Sequence, residues 1–171
     1  MKVILYMAMA ANGYIARGDN SIAWSDVEWQ EYARVVKETG AYIIGATTYQ
    51  MMKEENEFDK IGNPAMCVLT HSAKEDDGAV MFAVTPEEAL AKLGARGFTK
   101  VIVGGGSQCN AAFLKADLVD EIILDVEPMM FGNGLPLFST CALEVPLELI
   151  DTKKLSENEL QLHYRVVKQS L

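Results

Sequence analysis

The residues best suited to chemistry are three consecutive glycines between an apolar run and a segment of helical pattern. Gly104, Gly105 and Gly106 are followed by Ser107 and Gln108, which add a hydroxyl and an amide. Glycines at a strand–helix turn let a phosphate approach the backbone, and the helix start offers free N–H groups and a partial positive charge. The spacing lacks the third glycine of the G-x-G-x-x-G fingerprint, so a plain strand–helix turn is the alternative interpretation.

A second turn has the same character. Gly45, Thr47 and Thr48 follow the apolar residues 41–44. Two such turns at the carboxyl ends of strands suit one elongated anionic ligand, which favours a dinucleotide over a mononucleotide. Either threonine could instead serve only as a helix N-cap.

Acid–base chemistry has three candidates at the start of the first predicted helix, Asp26, Glu28 and Glu31. A structural interpretation competes with it, because Ser25 and Glu28 have the capping-box spacing and Asp26 suits the helix dipole. Nucleophilic catalysis has little support, since the chain lacks G-x-S-x-G, H-E-x-x-H and P-loop lysine motifs. His163 alternates with apolar neighbours and is predicted to be a solvated strand residue.

Composition and charge exclude several classes of protein. The 171 residues fit one domain, 1–171, and the net charge of −9 argues against nucleic-acid binding. No apolar run is long enough to span a membrane. Cys67, Cys109 and Cys141 are odd in number and widely spaced, which predicts neither a disulfide framework nor a metal site.

The N-terminus has two interpretations. Lys2 and the apolar run after it could mimic a short signal peptide. Asn12 and Gly13 follow the run as a turn follows a strand, so we expect a strand rather than a signal peptide. The cysteine pattern, with no disulfide framework predicted, favours a reducing cytoplasm.

Apolar runs alternate with amphipathic segments, which favours an α/β fold. Capping patterns at Ser25 and Thr85 start two helices, which we expect to end near Lys37 and at Gly94. Strict alternation near the C-terminus predicts an antiparallel hairpin with one solvated face, beside a mainly parallel sheet. The predicted strands cover residues 3–9, 14–16, 41–44, 65–69, 79–83, 101–103, 121–126, 147–152 and 160–167; two further helices cover 47–53 and the segment after Gly106.

The order of the motifs along nearly the whole chain resembles the dihydrofolate reductase superfamily. The motifs are AMAANGYIA at 8–16, Trp24, Gly45-x-Thr47-Thr48-Tyr49 and VGGGS at 103–107. The segments VDE at 119–121 and EPMMFGNGLPLF at 127–138 are more similar to its riboflavin-biosynthesis reductase branch.

The resemblance implies a three-layer α/β/α domain with a mixed, roughly eight-stranded sheet and a C-terminal antiparallel hairpin. It also implies hydride transfer from NADPH to a C=N or C=O bond of a small heterocyclic or sugar-amine substrate of pyrimidine or pterin type. A homodimer is implied as well. The alternative is a non-catalytic nucleotide or small-ligand binding protein of the same fold.

By position, the resemblance assigns residues to the cofactor and to the substrate. The implied proton donor is Glu28, with ordered water as the other possibility. The implied cofactor residues are Ala8 and Ile15 at the nicotinamide; Gly45, Ala46, Thr47 and Thr48 at one set of phosphates; Thr70, His71 and Ser72 at the adenine and its ribose; and Gly104, Gly105, Gly106, Ser107 and Gln108 at the pyrophosphate. The implied substrate residues are Asn12, Trp24, Tyr49 and Met52, and a cis peptide is implied in the glycine run.

Three departures from the family pattern bear on function. Ala46 replaces an arginine that can fork onto the adenosine 2′-phosphate, so NADH is possible beside NADPH. The substrate-gripping carboxylate of dihydrofolate reductases falls at Glu28 or at Trp29, and a tryptophan there disfavours folate reduction. Asn12 replaces the usual aspartate of the turn.

Overall fold

The computed structural model describes residues 1–22, 24–72, 74–139 and 143–168. These ranges contain ten strands and four helices. The strands are β1 (Lys2–Ala10), β2 (Tyr14–Arg17), β3 (Ala41–Gly45), β4 (Ala65–Leu69), β5 (Val80–Ala83), β6 (Lys100–Val103), β7 (Glu121–Glu127), β8 (Gly134–Pro136), β9 (Leu147–Lys154) and β10 (Leu160–Val166). The helices are α1 (Asp26–Thr39), α2 (Ala46–Glu54), α3 (Pro86–Ala95) and α4 (Ser107–Lys115).

Eight strands form one mixed sheet in the order β5-β4-β3-β6-β1-β7-β10-β9. The first six of these are parallel, and β10 runs antiparallel to both β7 and β9. The predicted parallel core and C-terminal hairpin are therefore confirmed. β2 and β8 pair in a separate antiparallel ribbon.

Two helices cover each face of the sheet. Leu5 on β1 packs in one hydrophobic cluster with Leu93 of α3 and Phe113 of α4. Tyr6, the next residue of β1, packs in a second cluster with Val36 of α1 and Met52 of α2. This alternation follows from the two-residue period of a strand. The three-layer α/β/α arrangement is confirmed.

Local signals explain where the helices begin, and less well where they end. Ser25 caps α1 and Thr85 caps α3 through side-chain bonds, and Gly40 ends α1 in the left-handed conformation at φ 72°. The predicted end of α3 at Gly94 is wrong, because the helix continues through Ala95. Gly94 does not adopt a positive φ. The left-handed conformation that follows this helix is adopted by Gly97, with φ 87°, three residues after Gly94.

The topology places the two glycine turns side by side. β3 and β6 are neighbours in the sheet, paired at Ile43↔Val103. β3 continues into α2, which packs on the face of α1, whereas β6 continues into α4 on the opposite face. Adjacent parallel strands whose connections leave to opposite faces form the crevice where α/β sheets bind ligands.

Candidate functional site

The two glycine turns are joined by main-chain hydrogen bonds. Gly45 N donates to Gly105 O at 2.7 Å, and Gly104 N donates to Ile43 O at 2.9 Å. These two amides are therefore engaged within the protein and cannot also serve a phosphate. The main-chain donors that could bind a phosphate at these turns are therefore the N–H groups at the starts of α2 and α4.

Both helix starts lack a side-chain cap. Gly45 precedes α2 and Gly106 precedes α4, and neither helix start receives a side-chain capping bond from the described residues. Ser107, the first residue of α4, is 9% exposed, and its hydroxyl has no partner in the described part of the chain. Because buried polar groups are normally paired, this hydroxyl and the free amides suit an anionic ligand.

Each glycine of the run has its own reason to be glycine. A Cβ on Gly104 would collide with the hydroxyl of Tyr32 and the ring of Tyr42. Gly105 has φ +96°, and a Cβ there would lie 3.0 Å from the Met7 side chain. Gly106 has ordinary φ and ψ, and its Cβ would lie 3.2 Å from Thr48 Oγ1, so it faces the other turn. The Gly105–Gly106 peptide is cis.

The segment after β4 approaches the start of α4. His71 Nε2 lies 3.2 Å from Gln108 Oε1, and both side chains are exposed. Thr70 N donates to Ala83 O at 2.9 Å, which fixes the end of β4 against β5. Thr70 is half-buried and Ser72 is exposed. The structure thus brings the predicted adenosine-side residues next to one of the two glycine turns.

Glu28 does not play the structural role that its spacing suggests. Ser25 Oγ accepts from Glu28 N at 3.0 Å, but the N–H of Ser25 donates to Glu127 Oε1 at 3.0 Å. The capping-box interpretation of the Glu28 side chain is therefore wrong. The side chain is 2% exposed, and its Oε2 has no partner among the described residues.

Glu28 is surrounded by other acids. Burial, followed by the negative charges of Asp125, Glu127 and Glu159, raises the pKa of Glu28 to about 9. It therefore carries a proton at neutral pH, which is the state a general acid requires. Glu31, one turn further along α1, differs because hydrogen bonding by Arg34 lowers its pKa to about 2.

Asp125 is the centre of a buried polar network. Tyr6 Oη donates to its Oδ2 at 2.6 Å, and Gln161 Nε2 donates to its Oδ1 at 2.9 Å. Gln161 Nε2 also lies 3.1 Å from Tyr6 Oη. Burial raises the pKa of Asp125 to about 6, while the two donors oppose that shift.

These acidic residues were missed by the sequence predictions. Asp125 and Glu127 alternate with apolar residues in β7, so both lie on the face of the sheet that α1 covers. Their Cα partners on β1 are Ala8 and Ala10, which have small apolar side chains. Carboxylates at alternate positions of a buried strand were the available signal.

A loop contact closes one side of this region. Asn12 Nδ2 donates to Phe131 O at 2.8 Å, and Asn12 Oδ1 accepts from Phe131 N at 3.3 Å. Both polar atoms of the Asn12 amide are thus used in holding the loop. Trp24 stacks on Phe131 with ring centroids 6.3 Å apart. The guanidinium of Arg17 also lies over the Phe131 ring, 5.0 Å from its centroid.

The other predicted residues lie deeper. Ala8 and Ile15 are buried, at 5% and 6% exposed. Met52 is buried in the cluster under α2, where the Tyr42 hydroxyl lies 3.9 Å from its sulfur. Tyr49 is half-buried and stacks on Phe58 with ring centroids 5.6 Å apart.

The histidine and cysteine predictions have mixed outcomes. His163 is half-buried and pairs with Glu121 at 2.9 Å, so the prediction that it is simply solvated is wrong. Cys67 and Cys109 are buried free thiols whose pKa values are raised by burial to about 12. Cys141 lies outside the described residues.

Within the described ranges, no cluster of His, Cys, Asp and Glu has the arrangement of a metal site, and no helix is long and apolar enough to cross a membrane.

Comparison with known proteins gives a family match and several likenesses. A family profile described as the RibD C-terminal domain matches residues 1–160. The uncharacterized protein YwjB of Bacillus subtilis (strain 168) is 29% identical over 169 residues, which make up 95% of this chain and 97% of YwjB.

Two solved structures share the fold. A putative riboflavin biosynthesis protein from Shewanella sp. PV-4 matches with a TM-score of 0.78 and 20% identity, over 98% of this chain and 100% of that chain. The diaminohydroxyphosphoribosylaminopyrimidine deaminase/5-amino-6-(5-phosphoribosylamino)uracil reductase from Thermotoga maritima matches with a TM-score of 0.70 and 20% identity. That match covers 97% of this chain and 56% of the Thermotoga chain.

Proposed function

The chain belongs to the family of the RibD C-terminal domain, and on that premise we propose that it is a reductase that transfers a hydride from NADPH to a small nitrogen heterocycle or sugar amine. When bound, the nicotinamide supplies the hydride. The protein contributes binding, orientation and a proton. The riboflavin-pathway character of the family supports a substrate of pyrimidine or pterin type.

The two glycine turns fit the phosphates of a dinucleotide. The observation that carries the proposal is the buried Ser107 hydroxyl, unpartnered within the described chain, at a helix start that no side chain caps. The uncapped start of α2 lies next to it, because the two turns share main-chain bonds. Thr47 and Thr48 add hydroxyls at α2. Together they would hold two phosphate groups with amides and hydroxyls.

Glu28 would donate the proton that accompanies hydride transfer. Burial and the neighbouring acids raise the pKa of its carboxyl to about 9, so the protonated form is available at neutral pH. Ala8 and Ala10 have small side chains on the same face of the sheet, and the half-buried aromatic rings of Trp24 and Tyr49 would flank the acceptor. A planar acceptor would lie between β1, α1 and α2.

The choice between NADPH and NADH depends on the adenosine side. Ala46 gives this end no guanidinium, and His71 beside Gln108 is the side chain available to approach a 2′-phosphate. We therefore expect weak discrimination between the two nucleotides. A cytoplasmic location, a single domain over residues 1–171 and a homodimer are further parts of the proposal.

Thermal unfolding with each nucleotide tests the binding step. A ligand at 100 times its Kd should stabilise the protein by about 2.7 kcal/mol, which raises Tm by several degrees for a chain of this length. NADPH and NADH should both raise Tm, whereas riboflavin without nucleotide serves as a negative control. The absence of any shift with either nucleotide would contradict the proposal.

Turnover separates a reductase from a binding protein of the same fold. Loss of absorbance at the reduced-nicotinamide band should follow addition of an acceptor from a panel of pterins and aminopyrimidine ribosylamines. A thermal shift without oxidation of the nucleotide by any acceptor would favour the non-catalytic alternative.

A further inference from the structure

We propose that Asp125, fixed by Tyr6 and Gln161, is a positioning residue that keeps a proton on the carboxyl of Glu28. The inference rests on the proposed function for the use of that proton in a reaction. The coupling between the two carboxyls is a property of the protein alone, so it can be measured without cofactor or substrate.

Asp125 is the more readily ionised of the two carboxyls. It is 1% exposed, and each of its oxygens accepts a hydrogen bond, one from Tyr6 Oη and one from Gln161 Nε2. Donors to both oxygens favour a carboxylate over a carboxylic acid. The register pairs Asp125 with Ala8 of β1, which has no polar side chain to compete for it.

Glu28 lies in the opposite situation. It is as deeply buried as Asp125, but the structure gives its Oε2 no partner in the described ranges. A buried carboxyl without donors retains its proton when another carboxylate lies nearby. Two acids with such different surroundings can divide their roles, one ionised and one protonated.

Among the described residues, the charges that act on Glu28 are those of Asp125, Glu127 and Glu159, all of them negative. Lys153 of β9 is bound to Glu31 at 2.8 Å. The titratable groups that interact with Glu28 from the elements packed around it are Tyr6 of β1, Tyr32 of α1, Tyr42 of β3, Asp125 and Glu127 of β7, and Glu159 of the β9–β10 turn. Glu31 of α1 and Lys153 of β9 pair with each other and act on Asp125. Burial and the remaining charges therefore both oppose ionisation of Glu28.

A titration of the Glu28 carboxyl tests the inference directly. Carbon-13 NMR of glutamate-labelled protein, with the signal assigned through Glu28→Gln, reports the proton affinity of this group. In Asp125→Asn we expect that affinity to fall by about tenfold or more, which is about one pKa unit. Glu38→Gln is the matched control, because it removes one negative charge from the exposed end of α1 and should leave Glu28 unchanged.

A second variant covers a folding defect in Asp125→Asn. Asp125→Ser removes the same negative charge with a smaller side chain that can still accept from Tyr6 Oη. Glu28 should lose its proton more easily in this variant too. An unchanged Glu28 titration in whichever variant folds, or a wild-type Glu28 that titrates in the ordinary glutamate range, would overturn the inference.

Kinetics distinguishes this inference from the proposed function. If the proposed function holds, the alkaline limb of the kcat profile should move to lower pH in Asp125→Asn by the same amount as the NMR titration, with a smaller change in KM for the acceptor. A wild-type protein that oxidises no reduced nucleotide contradicts the proposed function. A proton affinity of Glu28 that is unchanged in both variants contradicts only the role of Asp125.

Discussion

Glu28 is a buried acid whose ionisation opposes the stability of the fold. Its pKa is raised from 4.5 to about 9 by burial and by neighbouring carboxylates. A group whose pKa is higher in the folded than in the unfolded state contributes its full stability below the unfolded value. That contribution is lost progressively as the pH rises from about 4.5 toward about 9.

The variant Glu28→Gln should therefore be more stable than the wild type under mildly alkaline conditions. An amide needs no proton to stay neutral, so it avoids the cost of ionising a buried carboxyl among other acids. At about pH 8 we expect an increase of at least about 1 kcal/mol, or about 2–4 °C in Tm for a chain of this length. The same variant should lose most of its turnover.

Thermal unfolding across the pH range checks this prediction. The Tm of the wild type should fall with pH more steeply than that of Glu28→Gln, and Glu38→Gln should follow the wild type. Parallel curves for the wild type and Glu28→Gln would show that Glu28 ionises normally in the folded protein.

The sequence offered two interpretations of Glu28, and the structure contradicts the capping-box one, while the acid–base one stays a prediction. Local spacing predicts the Ser25 cap correctly, because the cap is made within four residues. The side chain of Glu28 is displaced from the box by Glu127, which is distant in the sequence. Asp125 was missed for the same reason, since its partners lie on β1 and β10.

At the scale of elements, the strand–helix turns combine packing and binding. Gly104 is required by the tyrosines behind it, whereas Gly106 faces Thr48 of the other turn. One glycine run therefore contains a structural position and a candidate binding position two residues apart.

Alanine at these two positions should have different effects. Gly104→Ala should destabilise the fold by about 1–3 kcal/mol, because its Cβ overpacks the Tyr32–Tyr42 contact. Gly106→Ala should cost less, about 1 kcal/mol or below, since its φ of −76° suits any residue and its Cβ meets only the Thr48 hydroxyl, at 3.2 Å. It should weaken NADPH binding by about tenfold or more.

Denaturant unfolding and nucleotide titration on the same preparations measure both effects. Equal nucleotide affinity in Gly106→Ala and the wild type would remove the binding role of this turn. A stable Gly104→Ala would show that the tyrosine pair moves aside.

The C-terminal hairpin leaves an open sheet edge. All eight residues of β9 are exposed, including Leu149 at 54% and Ile150 at 41%. An apolar edge strand can pair with another chain. We propose this edge as the contact of the homodimer.

Leu149→Lys should abolish the proposed homodimer and leave a monomer. Lysine on an edge strand opposes edge-to-edge pairing. Val84→Lys, at an exposed residue beside the opposite edge strand β5, is the control and should remain dimeric. Size-exclusion chromatography with light scattering measures the mass, and a monomeric wild type would contradict the proposed contact.

Most element boundaries follow from local pattern, and the exceptions have physical causes. β8 consists of Gly134, Leu135 and Pro136, two of which are poor strand formers, and it exists because β2 supplies its hydrogen bonds. Pairing across more than a hundred residues leaves no periodic signal in so short a segment.

At the scale of the whole molecule, the motif order predicted the superfamily and its riboflavin-biosynthesis branch, and both are confirmed. The fold follows from patterns that repeat over many residues, such as buried strands and capped helices. The cluster of buried acids leaves no repeating pattern in the sequence, because its members come from three separate parts of the chain. They are Glu28, Asp125, Glu127 and Glu159.

The overall charge predicts how salt should affect binding. The net charge is −9, and both nucleotides are anions. Between about 0.01 and 0.15 M salt the Debye length falls from about 30 to about 8 Å, which screens repulsion at a distance. We expect NADPH affinity to rise about twofold or more over this range, and NADH affinity to rise less.

Isothermal titration at several salt concentrations measures this dependence. An affinity for NADPH that falls steeply with added salt would instead indicate direct contact with a cationic side chain.

The bonds from Gly45 to Gly105 and from Gly104 to Ile43 set the spacing of the two turns before any ligand arrives. The distance between the two turns is therefore fixed by the sheet and does not depend on a ligand. Adenosine monophosphate and nicotinamide mononucleotide should then settle at their own ends without assisting each other. The gain on joining the two halves would come from effective concentration rather than from closure of the protein.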